Sequence, residues 1–363
     1  MITIKAKALE ELVRDIFHKA GCSKAEGARI GKYLVSANLT GHDSHGVVRV
    51  PRYLQWHADG KFIADQKIKA LIETPVYAML DGNYGFGQTI TPQAVKVGID
   101  KCKAMGLAMV GLRNVGHIGR VGDWAEMAAA EKLISIHFVN ASGSVLVAPF
   151  GGVEKRFSTA PFCCGIPVKG RDPLILDFAT SVVAEGKVLV ASRGGKKLPE
   201  DALVGLDGTI SADPHLFYGD YTPTGPRDYT KGKGAIRAFG DHKGSGLAFM
   251  CEMLGGSLTG TGATSEDRGR FSNGMLSFYI DPERIDPDGF FPKDIARYVK
   301  YVKGSKPIKR GGEVLVPGET ESRTRKERLA NGVPLATDIW KSIVEAAERL
   351  GIGKERIAVA VKG

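Results

Sequence analysis

Cysteine is scarce in this chain. Its 363 residues include five, Cys22, Cys102, Cys163, Cys164 and Cys251. The number is odd, no two are spaced CxxC, and the adjacent Cys163 and Cys164 have poor geometry for bridging each other. This argues against a disulfide framework, a zinc ribbon and a dithiol redox motif, and leaves reduced, mostly buried thiols. Long apolar runs are missing as well. No stretch approaches the roughly 20 residues of a membrane span. The N-terminal MITIKAKALEELVRDIF lacks the basic-then-apolar layout of a signal peptide, so a cytoplasmic protein with no membrane partner is expected. Internal repeats and low-complexity tracts are absent.

What is present is an ordinary globular composition, 43% hydrophobic and 25% charged, with length enough for two domains. The formal net charge is +10, and basic residues collect late, at Lys300, Lys303, Lys306, Lys309 and Arg310, then Arg323, Arg325, Lys326 and Arg328. A nucleic-acid surface is one reading of that run. The other is a solvated face and a potential that draws in anionic substrates and cofactors. The second cluster lies in ETESRTRKERLANG, where glutamates are interspersed and no aromatic offers a stacking platform. No nucleic-acid partner is therefore expected. The segment reads as a surface loop leading into a helix.

Helical apolar spacing covers residues 6–20 and 24–39, with Gly21 as a stop and Ser23 as a start. Residues 76–81 predict a strand, and residues 91–103 a helix with Pro92 in its first turn. Strands at 107–112, 134–139, 157–160, 164–168 and 174–177 alternate with a helix at 123–131. An apolar helix over 243–254 stops at Gly255-Gly256, and a last helix spans 338–350. Residues 193–229 are Gly/Pro-rich and read as long loops near a site. The class is α/β.

Five segments could carry chemistry. GHDSHGVVRVPRYL (41–54) puts two imidazoles, a carboxylate and a hydroxyl within five residues. No second His/Cys cluster with ligand spacing accompanies it, so no metal site is expected. A serine next in sequence to its histidine is not how nucleophile and base usually meet. A proton-shuttling histidine fits best, with an Asx-turn in a polar loop as the bland reading. Arg49 and Arg52 follow; each offers a planar fork matching a carboxylate, or else is a helix-surface charge. GHIGRVGDWAEMA (116–128) sits between a strand and a helix and suggests a pyrophosphate cradle with Arg120 adding charge. It is not GxGxxG and lacks the acidic ribose partner, so a Rossmann assignment fails. LDFATS (176–181) ends a strand in polar groups, for ligand contacts or a helix cap. In GDHKGSGLAFMCEMLGG (240–256), Lys243 either neutralises phosphate or polarises a carbonyl, or belongs to a polar loop entering a buried helix. VPGE (316–319) is the fifth segment.

In this order and at these separations the segments resemble the type-2 malate/L-lactate dehydrogenase family, and their wording is very similar to its hydroxycarboxylate dehydrogenase B-like branch. The resemblance implies a non-Rossmann, three-layer α/β/α fold with a helical N-/C-terminal substrate and dimerisation region, assembled as a homodimer. Residues 1–75, joined by 335–363, would form the helical region. Residues 76–275 would form the cofactor-binding domain, and 276–363 would pack back on the N-terminal part. The implied activity is NAD(P)-dependent interconversion of small anionic 2-oxo and 2-hydroxy acids, with NAD expected and NADP as the alternative. Cyclic imino acids or a ureido acid are the second substrate reading, and a basic nucleic-acid-binding protein is the non-enzymatic one. By carry-over His45 lies at the nicotinamide end, the acid/base role is divided between His45 and His117, Arg49 binds substrate carboxylate and Lys243 adds charge. Cofactor-binding positions are His45, Gly119, Arg120, Asp177, Phe178, Ala179, Thr180, Ser181, His242, Asn273, Pro317, Gly318 and Glu319. One departure is Ala160, where the family commonly has Asn, which removes an amide from an expected site wall. Arg193, Lys196 and Lys197 either meet a 2′-phosphate or form a mobile basic loop.

Overall fold

The computed structural model describes residues 1–222, 227–267 and 269–362. In chain order the strands are β1 (Ile2–Ile4), β2 (Lys69–Glu73), β3 (Tyr77–Asp81), β4 (Leu107–Val115), β5 (Ile134–Ser142), β6 (Val147–Ala148), β7 (Phe162–Ile166) and β8 (Leu174–Phe178). Then come β9 (Leu203–Val204), β10 (Ile210–Ser211), β11 (Ala235–Arg237), β12 (Ser272–Ile280) and β13 (Val333–Leu335). The helices are α1 (Ala6–Lys19), α2 (Lys24–Leu39), α3 (Val50–Ala58), α4 (Gly87–Met105), α5 (Gly122–Ala130), α6 (Glu185–Ser192), α7 (His215–Tyr218) and α8 (His242–Cys251). They continue with α9 (Pro282–Ile285), α10 (Phe290–Lys303), α11 (Glu319–Asn331), α12 (Thr337–Arg349) and α13 (Lys354–Lys362).

Apolar spacing writes the first helix pair. Leu9, Leu12, Val13, Ile16 and Phe17 line one stripe of α1 and are all buried. The hydroxyl of Ser23 accepts from the Glu26 N–H and starts α2. Their core continues through Trp340, Ile343 and Ala347 of α12, and β1 pairs antiparallel with β13, so the two ends of the chain share one helical unit.

A seven-stranded sheet of order β2-β3-β4-β12-β5-β7-β8 forms the centre, with only β3 and β4 parallel. In β5, Val139 points to the core shared with α4 and α5, while its neighbour Phe138 packs on the Ala248–Cys251 face of α8. Successive strand residues face opposite sides, so the sheet is covered on both. This is a three-layer α/β arrangement, and a largely antiparallel one.

A smaller sheet, β10-β9-β11-β6, with α6 and α7 encloses its own core around Phe217, Leu203 and Ile236. The single unit expected over 76–275 thus contains two cores, and the break expected at 275/276 falls inside β12. Among the described residues no helix is long and apolar enough to cross a membrane.

Several local expectations need correction. Residues 157–160 form no strand; Phe157 makes only an isolated bridge to Val147. Residues 193–229 are not all loop, since β9, β10 and α7 lie there, while 223–226 fall outside the described residues. Helix α4 begins at Gly87, so Pro92 lies beyond its first turn. The helix expected to stop at Gly255-Gly256 instead widens into a π-helical turn, Glu252–Ser257. The acidic-basic stretch after Pro317 is itself the helix α11. Its cations are used in pairing: Arg325 with Glu126, Arg328 with Asp43, Arg323 with Glu313. Lys303 of α10 pairs with Glu319.

Candidate active site

The first motif folds as two 3-10 turns, Asp43–His45 and Val47–Arg49, leading into α3. Asn38 at the end of α2 braces them: its amide donates to Asp43 at 2.6 Å and its oxygen accepts from the Val47 N–H at 2.9 Å. Arg328 of α11 grips Asp43 from the other side, and His42 faces Glu321 at 3.5 Å. The loop is therefore rigid, and it presents His45 inward.

Against His45 lies His117, although 72 residues separate them in sequence. The rings stack at 5.3 Å between centroids with 11° between planes. Nδ1 of His45 is buried without a hydrogen-bond partner. Nδ1 of His117 is 2.5 Å from the Tyr53 hydroxyl.

The protonation of this pair follows from its neighbours. Gln88 Nε2 lies 3.2 Å from the His117 carbonyl and 3.1 Å from the Tyr53 oxygen. A carbonyl only accepts, so the amide nitrogen must face it, and the same nitrogen donates to Tyr53. The Tyr53 hydrogen has two acceptors in reach, Nδ1 of His117 at 2.5 Å and the His117 carbonyl at 3.4 Å; the carbonyl already accepts from Gln88, and the much shorter contact assigns the hydrogen to Nδ1. Neutral His117 consequently carries its proton on Nε2.

Burial first, and then the Arg49 charge, push His45 down to about 3 and His117 well below the usual histidine range. Burial also holds the Tyr53 hydroxyl far above the usual range, against the opposing pull of Arg49. His137, enclosed between Ser135 and Ser277, falls to about 3 by burial alone. For the three histidines the folded pKa is below the unfolded value of about 6.5. The stability these neutral imidazoles support is complete above about pH 6.5 and is lost as pH falls toward 3. Melting temperature is expected to drop between pH 6.5 and 4.5; a Tm flat over that range contradicts neutral, buried rings.

Arg49 points its fork at the same place. Its Nε donates to the Ser44 carbonyl at 2.6 Å, which orients the guanidinium and leaves the terminal NH2 groups for an anion. Arg52 is exposed and lies 5.8 Å over the Trp56 ring, as a helix-surface charge. An aromatic wall completes the site: Phe271 stacks on Trp56 at 4.9 Å and lies 6.0 Å from His117.

The remaining expected residues separate into two neighbourhoods. In the first, Arg120 is 1% exposed and faces Glu126 at 2.8 Å, Asp123 at 3.1 Å and Asp177 at 3.9 Å. Its expected role as a free charge for pyrophosphate is not what this arrangement provides, because three carboxylates already surround it. They hold it more firmly protonated, while burial, which outweighs Arg120, raises Asp123. Arg325 also reaches Glu126, so two cations meet three carboxylates, and the surplus negative charge falls on the most enclosed acid. Asp177 also accepts the Gly122 N–H at 2.7 Å, occupying the start of α5 that an anion would need. A Cβ on Gly122 would come within 2.6 Å of Arg120 Nη2, so that glycine serves the packing of the guanidinium. Gly119, at φ +73°, turns the loop between the histidine and this cluster.

The second neighbourhood lies at the end of β8. Phe178 packs edge-on against Phe239, Ala179 is half-buried, Thr180 bonds the carbonyls of Thr159 and Ala160, and Ser181 bonds that of Val183. His242 meets the Phe150 ring at 5.8 Å. Lys243 is exposed on the first turn of α8; the cations that act on the imidazole pair are Arg49 and, for His45, Arg120. The two neighbourhoods are tied together through Asp177, and a Cβ on Gly186 of α6 would come within 3.0 Å of the Ser44 side chain beside His45.

Asn273 is 3% exposed, and both ends of its amide are engaged: Oδ1 accepts from Ile118 N–H at 3.0 Å and Nδ2 donates to the Asn140 carbonyl at 2.6 Å. Ala160 is fully buried against Ala248 and Cys251, not in a site wall. Its φ of +27° is a left-handed conformation that Asn adopts more readily than Ala. Arg193 pairs with Asp338.

A groove of about 950 Å³ runs between α5, residues 167–173, residues 282–295 and the start of α11. Arg120 and Gly318 line it, with Pro167, Pro173, Ile175 and Phe291 forming apolar walls. Pro317 precedes that lining, and Glu319 is held by Lys303 at 2.7 Å and Arg171 at 3.1 Å. A flat heterocycle with a polar tail suits such a slot.

The sequence profile of the malate/L-lactate dehydrogenase family matches residues 4–344. The chain belongs to that family and is an oxidoreductase. It is 36% identical to hydroxycarboxylate dehydrogenase B of Escherichia coli strain K12, over 97% of this chain and 95% of the relative. A solved structure of a putative malate/lactate dehydrogenase from E. coli superposes with a TM-score of 0.90 at 34% identity, covering 100% of this chain and 99% of that one. Delta1-piperideine-2-carboxylate reductase from Pseudomonas syringae superposes at 0.79 with 27% identity, over 96% of this chain and 100% of that one.

Proposed function

We propose that this protein interconverts small 2-oxo acids and 2-hydroxy acids by hydride transfer with a nicotinamide dinucleotide, NAD before NADP. The observation that carries it is the His45–His117 stack, with Arg49 beside it and Tyr53 fixing one tautomer. A half-buried neutral imidazole with a directed N–H, next to an oriented guanidinium, suits a substrate with one carboxylate and one carbonyl.

The orphaned Nδ1 of His45 and the apolar groove lined by Arg120 and Gly318 are the two features that support dinucleotide binding. His45 would meet the nicotinamide, and the groove beside Gly318 the adenosine. When bound, the cofactor supplies or accepts the hydride. Arg49 holds the carboxylate through its terminal NH2 groups. His117 Nε2–H polarises the substrate oxygen and delivers its proton as alkoxide charge develops. The proton it gives up is replaced from solvent, while the Tyr53 hydroxyl, which burial keeps protonated, stays on Nδ1 and holds the ring in place. Phe271 and Trp56 exclude water from that side.

A homodimer is part of this reading. It is supported by α10, where Phe290, Tyr298 and Tyr301 are exposed and only Val299 is buried. The helical unit of residues 1–75 with 335–363 is assigned substrate binding because it carries His45, Arg49 and Tyr53.

Steady-state rates with NADH and NADPH against a panel of 2-oxo acids and cyclic imines test the proposal. Reduction of 2-oxo acids is expected. Reduction of cyclic imines alone would favour the second substrate class, and inertness toward both would end the proposal. Arg49→Ala is expected to raise KM about 10–150-fold, the equivalent of a charge-assisted hydrogen bond of roughly 1.5–3 kcal/mol. Arg52→Ala should change KM less than twofold or so, being solvent-exposed.

A further inference from the structure

The motif of residues 240–256 contains a buried acid that neither the imidazole pair nor the groove uses. Glu252 is 2% exposed. Among the described residues, five hydrogen bonds converge on its carboxylate, all from uncharged donors. Oε1 accepts from Ser158 Oγ at 2.7 Å, Thr264 Oγ1 at 2.8 Å and Ser158 N at 3.4 Å. Oε2 accepts from Thr264 N at 2.8 Å and Asn140 Nδ2 at 3.1 Å. A buried carboxylate is costly to desolvate, and this one is retained in a setting that satisfies its oxygens through the backbone and side chains of two loops and a strand.

The local fold is arranged to bring it there. Glu252 opens the π-helical turn Glu252–Ser257, a distortion that often marks a functional site. A Cβ on Gly256 would come within 2.5 Å of Asn140 Nδ2, so the turn lies directly on β5 with no side chain between.

From Asn140 the contacts run toward the chemistry. Asn140 Oδ1 accepts from Gly274 N at 3.0 Å, and its carbonyl accepts from Asn273 Nδ2 at 2.6 Å. Asn273 Oδ1 then accepts from the N–H of Ile118, the residue after His117, at 3.0 Å. The β4–β12 pairing shifts register between Asn273 and Met275, which is where the chain leaves the sheet toward His117. His117 is thus held from the helical side by Tyr53 and Gln88, and from the sheet side by this relay.

We propose that Glu252 is a positioning residue for the chemistry at His117, acting through Asn140 and Asn273; the inference rests on the role given to His117 above. A ring displaced by a fraction of an ångström loses the alignment of Nε2–H with the substrate oxygen, which weakens the chemical step more than binding.

The test compares Glu252→Gln, Asn273→Ala and the double variant. Glu252→Gln puts an NH2 group against donors that need an acceptor. Each single variant is expected to lower kcat on the order of tenfold with KM within about twofold, and the double variant to lose no more than the worse single one. Multiplicative losses in the double variant would mean independent effects and overturn the proposal. Ring nitrogen-15 resonances of His117 in the unliganded protein give a second readout, expected to move in both single variants. Unmoved resonances would overturn it equally. Should Glu252→Gln fail to fold, Thr264→Val removes one hydrogen bond to the same carboxylate and is expected to move kcat and the resonances in the same direction. A wild-type protein inert toward 2-oxo acids would remove the proposed function, while the resonances would still report on the relay.

Discussion

His117→Ala is expected to lower turnover of 2-oxo acids on the order of 10²–10⁴-fold, the range for loss of a general acid. His45→Ala should also lower it, but by less. The ordering follows from geometry: only His117 has a fixed tautomer, with Tyr53 on Nδ1 and a proton on Nε2. Tyr53→Phe removes the donor and lets both tautomers form, and a loss of about tenfold is expected, within the usual worth of a positioned hydrogen bond. Both rings are held neutral by burial and by Arg49, so kcat is expected to show no ordinary histidine inflection between pH 6 and 7. Rates of the three variants and the wild-type pH profile check these points. A His45→Ala loss larger than that of His117→Ala would transfer the acid role to His45.

The largest effect on stability is expected at Arg120. Arg120→Met removes the cation facing Asp123, Glu126 and Asp177 and leaves enclosed carboxylates without compensation. Breaking a buried ion network in this way costs roughly 3–5 kcal/mol. Denaturant unfolding should show the midpoint shifted at nearly constant slope. Arg325→Ala removes a half-exposed partner of the same Glu126 and is expected to cost at most about 1 kcal/mol, as exposed pairs do. Equal losses in the two variants would show that burial does not set the energy of this cluster. The contrast also bears on function: if Arg120 bound the cofactor directly, its loss would abolish cofactor binding before it affected unfolding.

Much of the local structure was legible because it depends on near neighbours. The stripe of α1, the Ser23 cap and the strand patterns are set by residues within a few positions of one another. The pairing of His45 with Arg49 in one short loop was legible for the same reason, as was the failure of GHIGRVG to match a Rossmann fingerprint. The misreadings have a common source. Arg120 looked like a free charge although Asp123 and Glu126 lie three and six residues on; only the fold shows that its guanidinium is buried against them and against the distant Asp177. Asn273 and Ala160 looked like ligand-facing positions because sequence does not reveal that one amide is spent on Ile118 and Asn140 and that the other side chain is buried. Tyr53, Gln88 and Glu252 carried no signal of their own, since an isolated tyrosine, glutamine or glutamate in a helix has an ordinary structural explanation.

By itself, then, the sequence determined the longer apolar helices and strands, the family likeness and the segments worth watching, since these rest on periodicity and on short-range hydrogen bonding. Tertiary structure alone decided which histidine has a defined tautomer, which arginine is free to meet an anion, and how the seven strands are ordered. Those properties depend on burial and on partners brought together from distant parts of the chain, and desolvation acts only after the chain has closed around the group.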